Sequence, residues 1–178
     1  KYIPDMKKYV SGTGSPMYYA ARIAKEKYPD AKIVFVGPCV AKRKEAQRDE
    51  AVDFVMTFEE ISSIFDAFEV NLEIVQPYAM EFSSVREAHG FAQAGGVMGA
   101  VKAFLKMEAD KINAIQVSDL NKKNIGTLRA YAKSGKAPGQ FIEVMACEGG
   151  CITGPSTHSG SNGKRQLVQE LAKQEKTY

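Results

Sequence analysis

Short runs rich in β-branched residues alternate along this chain with longer stretches whose apolar residues recur at helical spacing, and that alternation most constrains the fold. The runs are Lys32 to Val36 (KIVFV), Val52 to Met56, Ile112 to Val117 and Phe141 to Ala146 (FIEVMA). Each is too short for an ordinary helix and suits a strand, the first of them a buried one. Between the runs, Ser15 and Pro16 open a helix with Met17, Ala20, Ala21, Ala24 and Tyr28 on one face. Thr57-Phe-Glu-Glu60 is a capping box that heads a stripe of Phe58, Ile61, Ile64, Phe65 and Phe68. Gly95-Gly96 leads into Val97, Val101, Phe104 and Leu105. Asn121 to Lys133 carries Ile125, Leu128 and Ala132 and stops at Ser134-Gly135, and Leu167, Val168 and Leu171 mark a last helix. The charged stretch Val40 to Glu50 reads as an exposed connection, and Asn71 to Gly90, which includes Pro77, as irregular with one turn of helix. The expectation is an α/β fold with mostly parallel strands flanked by helices.

A length of 178 residues fits one ordinary domain or two small lobes and is enough to bury a core without a covalent staple. No apolar run approaches the roughly 18 residues of a membrane span. A net charge of only +3, without any basic block, gives nucleic acid no footprint. The three cysteines, Cys39, Cys147 and Cys151, are odd in number and sparse, which argues against a disulfide framework and for a reducing, cytoplasmic compartment.

Two cysteine sites occupy one kind of position, the loop leaving a strand: VFVGPC at Val34 to Cys39 and EVMAC at Glu143 to Cys147. Ligands of open α/β sheets bind beyond the carboxyl ends of strands, so both loops are candidates to face one crevice. Cys151 adds a thiol across Glu148-Gly149-Gly150, two glycines that let backbone approach an inorganic ligand and leave N–H groups for sulfide. Four chemistries stay open on the residues alone. The thiols could be small buried hydrophobes, although all three lie in loops bearing Gly or Pro rather than on apolar stripes. They could ligate an iron–sulfur cluster, which normally takes four thiolates where three are present. They could hold zinc with His158 as fourth ligand, against the unusual C-x3-C spacing. Cys39 could be a reactive thiol beside Lys42 or Arg43, without an evident paired base, since His89 and His158 stand in no motif.

Val36-Gly-Pro-Cys-Val-Ala-Lys-Arg-Lys-Glu45 and Glu143-Val-Met-Ala-Cys-Glu-Gly-Gly-Cys151 resemble the second and third signature motifs of the iron-only (FeFe) hydrogenase large subunit, in the C-terminal domain that holds the H-cluster. Gly90-Phe-Ala-Gln-Ala-Gly-Gly-Val-Met98 resembles the glycine-rich segment between them, and the similarity runs over essentially the whole chain. The resemblance implies two lobes around a metal-cluster crevice. It implies a 4Fe-4S cluster linked through a cysteine sulfur to a two-iron subcluster, interconverting dihydrogen with protons and electrons. By motif position, Cys39 and Cys147 would ligate the cubane and Cys151 would bridge it to the two-iron unit. Lys42 aligns with a lysine that hydrogen-bonds a cyanide ligand, and Met145 and Phe91 align with pocket-lining residues. Ferredoxin or fused iron–sulfur domains are the implied electron partners.

The departures from the family pattern shape the functional expectation. The family's first motif, Cys-Cys-Pro, is absent and by the similarity would precede Lys1, so residues 1–178 are expected to be the C-terminal portion of the hydrogenase domain, inactive alone and with an incomplete cluster site. Catalytic members have Met-Pro-Cys where this chain has Gly37-Pro38-Cys39, and Gly-Gly-Gly-Gln-Pro where it has Thr153-Gly-Pro-Ser-Thr157. Pro16-Met17 replaces the family's Pro-Gln. Changes in the surroundings of a metal tune its potential and ligand basicity. They are similar to those of the family's sensory branch, which would add a signalling domain. Three functions are therefore expected of the parent protein: hydrogen metabolism, hydrogen or redox sensing with little turnover, or a structural or cluster-assembly role with 4Fe-4S or zinc only.

Overall fold

The computed structural model describes residues 3–76, 78, 85–158 and 160–173. The chain divides into two compact units, one built from residues 11–79 and 154–158 and the other from residues 1–10, 80–153 and 159–178.

The first unit opens with helix α1 (Pro16–Lys27), whose cap is Ser15: its hydroxyl accepts the N–H of Tyr18 at 3.3 Å. Strand β1 (Val34–Gly37) follows, then the short helix α2 (Ala41–Ala46), strand β2 (Phe54–Thr57) and helix α3 (Phe58–Ala67). β1 and β2 are parallel, with Val34 opposite Phe54 and Gly37 opposite Thr57. Asp53 extends this pairing by one step, because its carboxylate accepts the Ile33 N–H at 2.8 Å while its own N–H donates to the Ile33 carbonyl at 3.0 Å. The core is Met17 and Ala21 of α1 with Val52, packed on by Ile33, Phe35, Ala46, Ala51 and Val55. Both halves of the Thr57–Glu60 capping box form at the head of α3.

Three expectations change here. Val40 to Glu50 is not simply an exposed connection: Ala41 to Ala46 are good helix formers, and Ala46 packs on the core. β1 is not buried on both faces, since Phe35 turns inward while Val34 and Val36 remain 46% and 36% exposed. Along α1, only Met17 and Ala21 are fully buried; Ala20 and Tyr28 face solvent.

The second unit contains the single helical turn α4 (Arg86–His89), helix α5 (Gly96–Leu105), strand β3 (Ala114–Ser118), helix α6 (Lys122–Ser134), strand β4 (Phe141–Met145) and helix α7 (Gly160–Ala172). α4 is the turn expected between Asn71 and Gly90; Pro77 lies outside the described residues. β3 and β4 are parallel, with Ala114 opposite Phe141 and Ser118 opposite Met145. α6 runs from the Asn121 cap to Gly135 as its sequence predicts, burying Leu128 and Ala132. The buried side of α5 is centred on Gly96 and Ala100 rather than on its larger residues, and Phe104 is 70% exposed. Small residues there let the helix approach its neighbours closely. The fold is α/β with parallel strand pairs flanked by helices.

Candidate iron–sulfur site

The first unit carries Cys39. β1 ends at Gly37, Pro38 follows, and the half-buried Cys39 stands just before α2. The Pro38 carbonyl accepts the N–H of the buried Ser156 at 3.0 Å, so the segment after Thr153 is fastened to the cysteine loop. On α2, the Lys42 ammonium donates to Glu45 Oε2 at 2.6 Å. Glu45 Oε1 accepts the hydroxyl of Ser15, the residue that caps α1. Partial burial pushes the Glu45 carboxyl up, but donation from Lys42 and Ser15 outweighs it and holds the group below its ordinary value. Lys42 is thus an oriented, charge-compensated ammonium rather than a solvated one. Arg43 pairs with Glu60, the glutamate of the α3 capping box, which its guanidinium also holds below the usual carboxylate range.

The second unit carries the other two thiols on one loop. Met145 ends β4 half-buried, Cys147 is half-buried, Glu148 is exposed, and the exposed Cys151 begins a single 3-10 turn, Cys151–Thr153. The Ala146 carbonyl accepts the Leu120 N–H at 3.1 Å. The Ser118 hydroxyl at the end of β3 accepts the Gly149 N–H at 2.9 Å and donates to the Cys147 carbonyl at 3.4 Å. The Gly150 N–H donates to the Cys147 carbonyl at 3.1 Å. The Thr153 hydroxyl donates to Glu148 O and, at 3.0 Å, to Gly150 O. The amides of both glycines are therefore committed within the protein, a different use from the sulfide donation that sequence suggests for them. Gly150 has φ of +102°, and a Cβ there would stand 2.4 Å from Ala94 N. The backbone that approaches this glycine is the chain's own.

That neighbouring backbone is the turn bearing Phe91, which is half-buried in the 3-10 segment Gly90–Ala92. The Ala94 N–H donates to the Gly149 carbonyl at 2.9 Å. The turn is fixed on its other side by Glu143 of β4, 5% exposed, whose two oxygens accept the N–H groups of Gly95 and Met98 at 2.7 Å each. Phe91, Met145, Cys147 and Cys151 thus belong to one unit, while Cys39 and Lys42 belong to the other. Among the described residues, no three His, Cys, Asp or Glu side chains form a group that could hold a metal ion. His158, the fourth ligand in the zinc alternative, is exposed.

A sequence model of the family described as iron only hydrogenase large subunit, C-terminal domain, matches residues 1–155. The chain belongs to the iron-only hydrogenase large-subunit family. Among curated relatives, the cytosolic Fe-S cluster assembly factor narfl of Danio rerio is 27% identical, over 94% of this chain and 54% of that protein. Iron hydrogenase 1 of Clostridium pasteurianum is 28% identical, over 86% of this chain and 34% of that protein. The chain therefore spans about half or less of the length of these relatives. An apo FeFe-hydrogenase of Chlamydomonas reinhardtii has the same fold, with a TM-score of 0.64 at 21% identity over 94% of this chain and 61% of that one.

Thiol donors in loops suit the clusters of the iron-only hydrogenase family. Cys147 and Cys151 on one loop of the second unit, and Cys39 after β1 in the first, are the side chains of this chain whose chemistry fits such a group, and a cubane with four thiolates needs one ligand beyond these three. Two residues that hold the cysteine loop carry no clear signal in the sequence. Ser118 is a polar strand terminus like many others until its parallel neighbour β4 is known. Glu143 interrupts the apolar run FIEVM, a signal that marks either a solvent face or a buried partner for backbone N–H groups. Among the described residues, no helix is long and apolar enough to cross a membrane.

Proposed function

We propose that this chain supplies thiolate ligands to the iron–sulfur centre of a hydrogenase-like protein. Cys39 and Cys147 would ligate a 4Fe-4S cubane, and Cys151 would link it to a two-iron subcluster. The reaction is the interconversion of dihydrogen with two protons and two electrons, the electrons passing to ferredoxin or to fused iron–sulfur domains. The observation that carries the reading is the Cys147–Cys151 loop. Its two cysteines flank a turn whose backbone is fastened by Ser118, Thr153 and Ala94, with Cys147 half-buried and Cys151 exposed.

When bound, the cluster supplies the one-electron chemistry. The chain's residues hold and orient. The closed hydrogen bonds of the loop reduce its freedom before metal arrives, so less ordering entropy is lost on binding. Glu45 fixes the Lys42 ammonium in one direction, and donation from Lys42 and Ser15 holds its carboxyl below the ordinary value.

A second reading is iron–sulfur binding without hydrogen turnover, in a cluster-assembly or sensory role. It is favoured by Gly37 in place of the catalytic members' methionine, by Thr153–Thr157 in place of their Gly-Gly-Gly-Gln-Pro, and by the assembly-factor relative. Anaerobically matured full-length protein separates the two. Infrared bands of metal-bound carbonyl and cyanide together with hydrogen evolution support the first reading. A cubane alone, without those bands or turnover, replaces it with the second.

A further inference from the structure

We propose that Glu143 is a positioning residue for the cysteine loop: its carboxylate draws the start of α5 onto β4, so that the turn before α5 braces Gly149 and Gly150 and sets the Cys147–Cys151 spacing. The inference rests on the iron–sulfur reading above. It concerns a residue that no motif role covers.

A buried carboxylate is expensive unless its oxygens are fully used. Glu143 accepts two backbone N–H groups at 2.7 Å, from Gly95 and Met98, the cap and third residues of α5. Negative charge at a helix start is favoured by the helix dipole and by its unpaired N–H groups. A local Ser, Thr or Asn cap would give the helix the same service without burying a charge. Position 95 is closed to one, because its φ of +90° is a left-handed backbone conformation that a capping side chain there would strain. The cap comes instead from 48 residues away in sequence, on the strand that leads directly into Cys147.

That choice couples two elements which a local cap would leave independent. Between Gly90 and Gly95 the turn makes its own contacts with the loop: Ala94 N–H to Gly149 O at 2.9 Å, and backbone against Gly150 at distances that exclude a Cβ. Glu143 holds the turn's far end. The carboxylate and the turn therefore clasp the cysteine loop between β4 and α5, and losing the carboxylate frees the brace without removing a thiol.

The test uses full-length protein reconstituted anaerobically with ferrous iron and sulfide. It compares wild type with Glu143→Gln, Glu143→Asp and Glu108→Gln. Glu143→Asp keeps the charge but shortens the reach, and Glu108→Gln removes one charge from an exposed residue after α5, outside the cysteine loop and the clasp. Loss of such supporting contacts typically weakens metal binding by about 10- to 100-fold. Both Glu143 variants should release iron to a chelator at least about tenfold faster than wild type, with a broadened, multi-component paramagnetic resonance spectrum of the reduced cluster. Glu108→Gln should match wild type. Wild-type release rates and spectra in both Glu143 variants would overturn the role. So would release that rises only as much as global unfolding measured in the same buffer, or failure of both variants to fold, since either would make Glu143 a folding residue. A wild type that takes up no cluster would instead refute the iron–sulfur reading beneath the inference.

Discussion

The hydroxyl of Ser118 accepts the N–H of Gly149 at 2.9 Å, so the end of β3 closes the turn that carries the cysteines of β4's loop. The same oxygen donates to the Cys147 carbonyl at 3.4 Å. One side chain therefore spans both ends of the Cys147–Gly149 turn. Replacing it with Ala leaves a part-buried N–H without this acceptor, which costs about 1–2 kcal/mol. Urea denaturation of the metal-free chain should show Ser118→Ala less stable by that amount; an unchanged midpoint would mean that water substitutes fully for the hydroxyl.

Two glycines should respond to the same substitution with opposite signs. Gly150 has φ of +102° and faces backbone at 2.4 Å and 2.6 Å, from Ala94 N and Gln93 C. Neither neighbour can rotate away, and Gly150→Ala should destabilise by more than about 2 kcal/mol. Gly126 stands inside α6 with nothing within 4 Å of a Cβ. Gly126→Ala should stabilise by up to about 1 kcal/mol through helix propensity and a less disordered unfolded chain. Thermal unfolding of the pair measures both, and a stabilising Gly150→Ala would contradict the packing described for the cysteine loop.

Acid should weaken the first unit through Asp53. The Ile33 N–H, then Lys32 and Lys25, hold its carboxyl down to about 2, from an ordinary 3.8. A depressed carboxyl stabilises the folded state fully above its unfolded value and loses that contribution as pH falls through the folded one. Stability should therefore decline as pH drops from about 4 toward about 2, the window set by those two values. Asp49, held down mainly by Arg22, adds in the same direction. Denaturation midpoints measured across this window should fall less steeply for Asp53→Asn than for wild type; equal slopes would remove Asp53 from the acid response.

What was legible in the sequence was local chemistry. The Thr57–Glu60 capping box, the Ser15 cap before Pro16 and the Asn121-to-Gly135 helix each depend on residues within a few positions of one another, and each forms as read. The parallel strand pairs and the position of Cys39 and Cys147 beyond strand ends also follow from periodicity and Gly-Pro punctuation. Charge hid α2, because Lys42, Arg43, Lys44 and Glu45 suggest a solvated loop as readily as a short helix. Burial was the least legible property. Phe104 and Val34 have apolar side chains at suitable spacing, yet which face is covered depends on what the fold brings against it. The same holds for Glu143 and Ser118, whose partners lie on other elements.

The proposed ligand role of Cys39, Cys147 and Cys151 is tested most directly by the iron and acid-labile sulfide bound per chain in anaerobically prepared full-length protein, compared with Cys147→Ala. Wild type should bind at least about four iron and four sulfide, as a 4Fe-4S cubane requires, and the variant should lose most of both. Equal iron and sulfide in the two proteins would contradict that role.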